Sequence, residues 1–213
     1  MKTDTAALKS PTVTRTHNSD RTRTIVCVGM LAAIATILML FEFPLPFIAP
    51  AFYELDFSEV PILIGAFALG PVAGVMTELV KILLNLVING TDTAFVGEFA
   101  NLIMGCLFVL PAALIYKRKK SRKSAIIGLT VGTICLTVGA VFVNALIMLP
   151  FYANVMPLEA ILNLGAAIHP SIDNIWSFAI LIVGPFNLVK GILVSVITVM
   201  LYKHISPILK GRH

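Results

Sequence analysis

The sequence predicts an all-α integral membrane protein. It has six transmembrane helices, cytoplasmic N- and C-termini, and a structured Pro-rich outer loop between helices 1 and 2. Three observations lead there. The 213 residues are 58% hydrophobic and only 13% charged, with a mean hydropathy of +0.94; a soluble domain carries about 25% charged residues. Second, positive charge is concentrated. Of the 16 Lys and Arg, five lie in 1–24, six in 117–123 and three in 203–212. Third, apolar runs of spanning length fill the intervals, and only Lys81 and Lys190 interrupt them with a cation. A soluble enzyme, a disordered chain and a disulfide scaffold are excluded. The net charge of +5 follows from the positive-inside rule. No soluble domain is left to present a basic face, so the expected partner is a lipid bilayer and not nucleic acid.

The elements follow in order. Residues 1–24 are rich in Thr, Ser and charge without an apolar face, and are expected to be a disordered cytoplasmic tail. Ile25–Phe43 is the first span; it lacks a small-residue cleavage site and is read as retained. Its 19 residues suffice to cross about 30 Å of hydrocarbon. Prolines 44, 46 and 50 forbid a helix in the next stretch, so 44–58 is a stiff, apolar loop. Val60–Ile88 is 29 residues long and is broken at Gly70-Pro71. Phe95–Tyr116 and Ser124–Leu149, ending at Pro150, are further spans.

Parity settles the count. The three basic regions all belong in the cytoplasm, so the Gly70-Pro71 break must separate two crossings and the Gly184-Pro185 break must not. Residues 174–184 are then expected in the outer interfacial layer with Trp176. The last span begins with Pro185 in its first turn, which proline tolerates. The membrane domain is 25–205 and the cytoplasmic C-terminal tail 206–213. Eight of the eleven acidic residues, including Glu59 and Asp92, fall at or near expected outer ends.

Catalytic motifs are missing. There is no phosphate-binding Gly-x-x-x-x-Gly-Lys-Ser/Thr loop, no His-Glu-x-x-His array and no Gly-x-Ser-x-Gly elbow. Neither an enzyme, nor a metal site, nor a cofactor is expected. The three cysteines lie in three apolar helices and read as small buried hydrophobes.

Polar residues inside the bilayer are candidate functional groups, because charge is expensive there. Lys81 has Glu78 three residues earlier on the same helical face. The two form a neutralised structural pair or a docking point for another subunit; a small membrane enzyme or channel using them is a more distant alternative. Lys190 has no acidic residue within a turn and Asn187 at i−3. It is expected about 8 Å below the outer end of its helix, where it faces a ligand or snorkels to headgroups. Asn101, Asn144, Asn187 and Lys190 all map to the outer half. With Tyr53, Asp56, Phe95 and Tyr152 nearby they describe an apolar, aromatic pocket with a few amide groups, suited to a flat, uncharged, hydrogen-bonding heterocycle. On helix 1, Gly29, Ala32, Ala33 and Thr36 form a small-residue patch, used within the bundle or against another subunit.

The motifs Phe43-Pro-Leu-Pro-Phe, Leu55-Asp-Phe-Ser-Glu-Val-Pro61, Gly70-Pro-Val-Ala-Gly74, Phe99-Ala-Asn101, Leu149-Pro-Phe-Tyr152 and Pro185-Phe-Asn-Leu-Val-Lys-Gly191 resemble the riboflavin-specific S components of energy-coupling factor (ECF) transporters. The resemblance runs in order through 24–205. It implies a six-helix vitamin-capture subunit in a bacterial cytoplasmic membrane, with riboflavin as transported ligand. The implied partners are a transmembrane coupling (T) subunit and two ABC-type ATPases. It adds Leu55 to the substrate-binding set and matches the family's helix-1 motif to Gly29 and Ala33, with Gly in place of the usual Ala, which favours docking there. It also implies a cycle in which loop 44–58 closes over the flavin and the docked bundle turns in the membrane. An S component for a different vitamin would share the scaffold and differ only in the pocket.

Overall fold

The computed structural model describes residues 14–91, 94–154 and 156–210. Nine α-helices occur among them: α1 (Thr14–Met39), α2 (Glu59–Leu69), α3 (Pro71–Asn89), α4 (Val96–Arg118), α5 (Arg122–Val143), α6 (Leu149–Tyr152), α7 (Leu158–Ala166), α8 (Ile175–Phe178) and α9 (Gly184–Lys210). Five helical stretches are long and apolar enough to cross a membrane: Arg21–Met39, Pro71–Asn89, Val96–Arg118, Arg122–Tyr152 and Ile175–Ser206. The expected sixth, α2, is apolar but only 11 residues long, about 16 Å of helix.

The α2–α3 break lies where the sequence places it. Gly70 adopts φ +108°, ψ 170°, a conformation a side chain opposes. Pro71 then starts α3 at a position whose N–H has no intrahelical partner in any case. The break shares a cavity with Lys117 and Lys120. α2 therefore runs from the loop end of the bundle to its basic end, and α3 returns.

Two expectations are corrected at prolines. The fifth span does not stop at Pro150, and the last does not begin at Pro185. A π turn, Asn144–Met148, joins α5 to α6, and a second, Ala179–Val183, joins α8 to α9. Each proline lacks the N–H that would bond the carbonyl four residues earlier. The residue before it bonds one position further back instead: Leu149 N–H donates to the Asn144 carbonyl, and Gly184 N–H to that of Ala179. The rod absorbs the defect as a π turn and continues. Residues 174–184 thus belong to the last long helix, not to a separate interfacial segment. Trp176, 45% exposed, packs edge-on against Phe142.

The ends also differ from the expectation. Residues 14–24 are helical where composition suggests disorder, and α9 extends to Lys210, into the expected tail 206–213. The rest of both tails, 1–13 and 211–213, lies outside the described residues, as does Asp92.

The interior has two main parts. One, toward the basic end, gathers Leu31, Leu63, Phe67, Phe108, Tyr116, Leu129 and Tyr202. There α5 packs directly on the α4 backbone. A Cβ on Gly128 would lie 2.6 Å from the Ala112 carbonyl oxygen, and one on Gly132 would lie 2.5 Å from that of Phe108. The second part, toward the loop end, gathers Ala49, Leu55, Leu149, Ile161, Phe178 and Phe186. Short antiparallel strands, β1 (Phe43–Pro44) and β2 (Glu54–Leu55), pair there. The chain between them turns through Ile48 N–H to Leu45 C=O and Tyr53 N–H to Pro50 C=O, both 2.9 Å. Leu55 and Ala49 are fully buried, so the loop sinks into the space the short α2 leaves unfilled.

Candidate functional site

A cavity of about 220 Å³ opens under this loop. The loop contributes Phe52, Tyr53, Glu54 and Asp56, and the end of α1 gives Met39 with Glu42 just beyond it. Gly97, Ala100, Asn101 and Met104 come from α4, and Asn144, Met148 and Tyr152 from the first π turn and α6. Phe186, Asn187 and Lys190 come from α9. The first π turn lines the cavity with Asn144 and Met148, and the second ends just before the stretch that supplies Phe186, Asn187 and Lys190; π turns recur at functional sites because they re-aim side chains.

Of the nine sequence-derived binding residues, seven line this cavity: Tyr53, Asp56, Asn101, Asn144, Tyr152, Asn187 and Lys190. Two do not. Leu55 is fully buried in the core beneath the loop. Phe95 is 59% exposed in a left-handed turn (φ 69°) before α4. Phe52, Met104, Met148 and Phe186 had signals that could have been used. Met104 and Met148 stand one turn from Asn101 and Asn144, and the two aromatics adjoin Tyr53 and Asn187. Glu42 and Glu54 carried no local signal, because strand pairing brings them together.

The polar groups are held. The Tyr53 hydroxyl donates to Asn144 Oδ1 at 2.8 Å, and Asn144 Nδ2 donates to the Ala140 carbonyl at 2.9 Å. Asn187 Nδ2 donates to Val183 C=O at 3.0 Å. Aromatic rings wall the space: Tyr53 lies 4.8 Å from Phe52 and 5.7 Å from Phe186 between ring centres, and Phe52 lies 6.4 Å from Tyr152. Burial, reinforced by Tyr152, pushes the Tyr53 phenol above its usual range, so it remains a donor.

Lys190 has a partner that no local reading finds. Its Nζ donates to Asp56 Oδ2 at 2.7 Å across 134 residues of sequence. The other oxygen of Asp56 accepts the Ser58 N–H, also at 2.7 Å. Burial alone would raise the Asp56 carboxyl; Lys190, then Lys81, hold it well below the usual carboxylate range. Lys190 is thus a fixed cation at the cavity wall, not a lone one, and it does not snorkel. Above it Glu42 is pushed up to about 7, by desolvation first and then by its hydrogen bond to Glu54.

Beneath the cavity, Lys81 Nζ lies 2.7 Å from Glu78 Oε1 and 3.1 Å from Glu59 Oε1. The expected pair is a triad. Glu59, placed by the sequence near an outer end, turns inward at the first residue of α2. Lys81 and Glu78 are fully buried, which removes the docking role. On α1, the small-residue patch divides. Ala32 and Thr36 face inward, the Thr36 hydroxyl donating to the Ala32 carbonyl at 2.9 Å. Gly29 and Ala33 face out, and a Cβ on Gly29 would meet nothing within 4 Å.

A family model for the ECF transporter, substrate-specific component, matches residues 23–202. The riboflavin transporter RibU of Staphylococcus aureus (strain TCH60) is 38% identical over 196 residues, 92% of this chain and 97% of that protein. The riboflavin transporter FmnP of Bacillus subtilis (strain 168) is 33% identical over 190 residues, 88% of this chain and 94% of that one. A solved S component of a bacterial ECF transporter superposes with a TM-score of 0.69 at 36% identity, over 89% of this chain and 99% of its own. ThiT from Listeria monocytogenes superposes at 0.63 with 15% identity, covering 89% of this chain and 98% of its own, and shares the fold.

Proposed function

The chain belongs to the substrate-specific components of ECF transporters, and from that premise we propose that it captures riboflavin in the cavity beneath the loop. It is a multi-pass protein of the bacterial cytoplasmic membrane and a transporter subunit, not an enzyme. The observation that carries the ligand is the cavity's chemistry. Tyr53, Phe52, Tyr152 and Phe186 offer aromatic faces to a planar ring. Asn101, Asn144 and Asn187 offer amides, and Lys190 offers one cation that Asp56 already neutralises. A flat, uncharged heterocycle with imide and hydroxyl groups finds a partner for each part of itself there. The RibU and FmnP names of the full-length relatives point the same way. Tyr53, Asp56, Asn101, Asn144, Tyr152, Asn187 and Lys190 are the proposed contacts; Leu55 supports the loop from below.

Six crossings with both termini in the cytoplasm complete the reading. α2 and the buried loop together make the second, and the basic clusters mark the inner side. The loop end then faces outward, and riboflavin enters before the loop closes. Gly29 and Ala33 form a flat exposed strip suited to close helix contact, the proposed dock for the T subunit, with two ABC-type ATPases driving the cycle.

Purification tests the ligand: the protein should be yellow and should quench added riboflavin. A colourless preparation that leaves riboflavin fluorescence unchanged would sink the proposal. Gly29→Trp should spare flavin binding and abolish cellular uptake; unimpaired uptake would move the dock elsewhere.

A further inference from the structure

A second cavity, of about 200 Å³, lies at the basic end, between the α2–α3 break and the end of α4. Its depth is apolar, with Phe67 and Ala113, and its rim carries Lys117 and Lys120. No acidic residue lines it, and among the described residues neither lysine has an ion-pair partner.

Two further features turn toward the same space. The first is Tyr116, whose ring stacks on Phe67 at 4.5 Å and meets Tyr202 edge-on at 5.9 Å. The residue is 93% buried, being 7% exposed, and lines the cavity; its hydroxyl makes no hydrogen bond among the described residues, and it is not one of the sealed-off polar atoms, so it reaches open space. A phenol held this way keeps its O–H free to donate. The second is the first turn of α3. Gly70 supplies no side-chain cap and Pro71 no N–H, which leaves the N–H groups of Val72 and Ala73 without an intrahelical acceptor. That end of a 19-residue helix also carries the positive pole of its dipole.

A phenol donor, two backbone donors and two ammonium groups around an apolar floor describe one kind of ligand. We propose that this cavity binds a phosphate ester, the headgroup of an anionic phospholipid in the cytoplasmic leaflet. The phosphate takes the donors at the rim and the apolar floor takes the ester-bearing chain. Lys117 and Lys120 thereby do more than set topology. They hold one lipid against the hinge at Gly70, where α2 hands over to α3. The site is independent of the flavin reading, and its test uses no flavin.

The test is lipid retention by the full chain in detergent, read by native mass spectrometry with phosphatidylglycerol or phosphatidylcholine added, and folding read by thermal melting. The wild type should retain phosphatidylglycerol about tenfold over phosphatidylcholine. The double variant Lys117→Gln/Lys120→Gln should lose about tenfold of that retention and Tyr116→Phe about threefold. Lys119→Gln/Lys203→Gln removes two basic residues outside the cavity and should stay within about twofold. Inorganic phosphate at about 10 mM separates the sources. Lipid that resists displacement assigns the site to a headgroup, and displacement supports the site with a soluble phosphate as its occupant. Equal losses in the two double variants would reduce the effect to diffuse attraction and overturn the proposal. So would unchanged retention in a well-folded Lys117→Gln/Lys120→Gln protein.

Discussion

The two ends of this bundle solve the same packing problem with different materials. Toward the basic end, helices meet through rings and bare backbone. Phe67, Tyr116 and Tyr202 form one aromatic knot, and Gly128 and Gly132 let α5 rest on α4 carbonyls. From mid-bundle to the loop end, ions and amides join the apolar cluster: Asp56 with Lys190, Lys81 with Glu59 and Glu78, Asn144 with Tyr53. Lipid tails are as apolar as leucine, so burying apolar surface between helices gains little in a bilayer. Shape must hold the first half, and the second adds charge to its apolar packing. The difference teaches where adaptability lies. A polar half can exchange its internal partners for those of a ligand; a half held by shape cannot.

The comparison can be broken most severely at Lys81. Lys81→Met strands two buried carboxylates and should cost about 3–5 kcal/mol, read as a large fall in melting temperature. A fall no larger than that of a surface lysine would mean the triad contributes little. Lys190→Met attacks the same half but nearer the cavity. Losing a charged hydrogen bond costs about 1.5–3 kcal/mol, so riboflavin affinity should drop roughly 10- to 100-fold, with melting less affected than in Lys81→Met. Unchanged affinity would take Lys190 out of the flavin site.

Gly132→Ala probes the shape-held half. Its Cβ would sit 2.5 Å from a backbone oxygen, and overpacking of this kind costs about 1–3 kcal/mol. Melting should fall while flavin affinity holds; the reverse pattern would erase the division of labour. The smallest effect is expected at Glu42. Its carboxyl binds its proton more tightly in the folded loop, with a value raised from 4.5 to about 7. The contribution is therefore complete below about pH 4.5 and is lost as pH rises through about 7. Amide protection factors across β1 and β2, corrected for base-catalysed intrinsic exchange, should be higher at about pH 5.5 than at about pH 8, and Glu42→Gln should flatten the difference.

The same division separates what the sequence shows from what it hides. Apolar length and clustered cations locate the long helices, and Gly70-Pro71 marks its break because a glycine at positive φ and a proline at a first turn are local facts. The amides of the site are also visible, since a polar residue in an apolar helix stands out alone. Pro150 and Pro185 mislead because local rules call a proline a terminus, whereas tertiary packing keeps each rod continuous and shifts its bonding by one residue. Asp56 and Glu59 look like surface acids at the ends of elements. Only the shortness of α2, which draws the loop inward, brings them to Lys190 and Lys81. Partnerships across 134 and 22 residues have no period to betray them.

The paired π turns have a consequence for how such a site can change. Each behaves as a single residue inserted into an α-helix, and one residue is a rotation of about 100°. The turns therefore act as phase shifters. Upstream of Pro150 and Pro185 the helices keep the register their neighbours demand; downstream the register is offset, which carries Tyr152 on one rod and Phe186, Asn187 and Lys190 on the other to the cavity wall. Deleting one residue within either turn, together with replacing the proline that follows it, would restore plain α-helix, leave the scaffold below in step, and present a different set of side chains to the ligand. A bundle built this way can revise its wall by a paired indel and substitution.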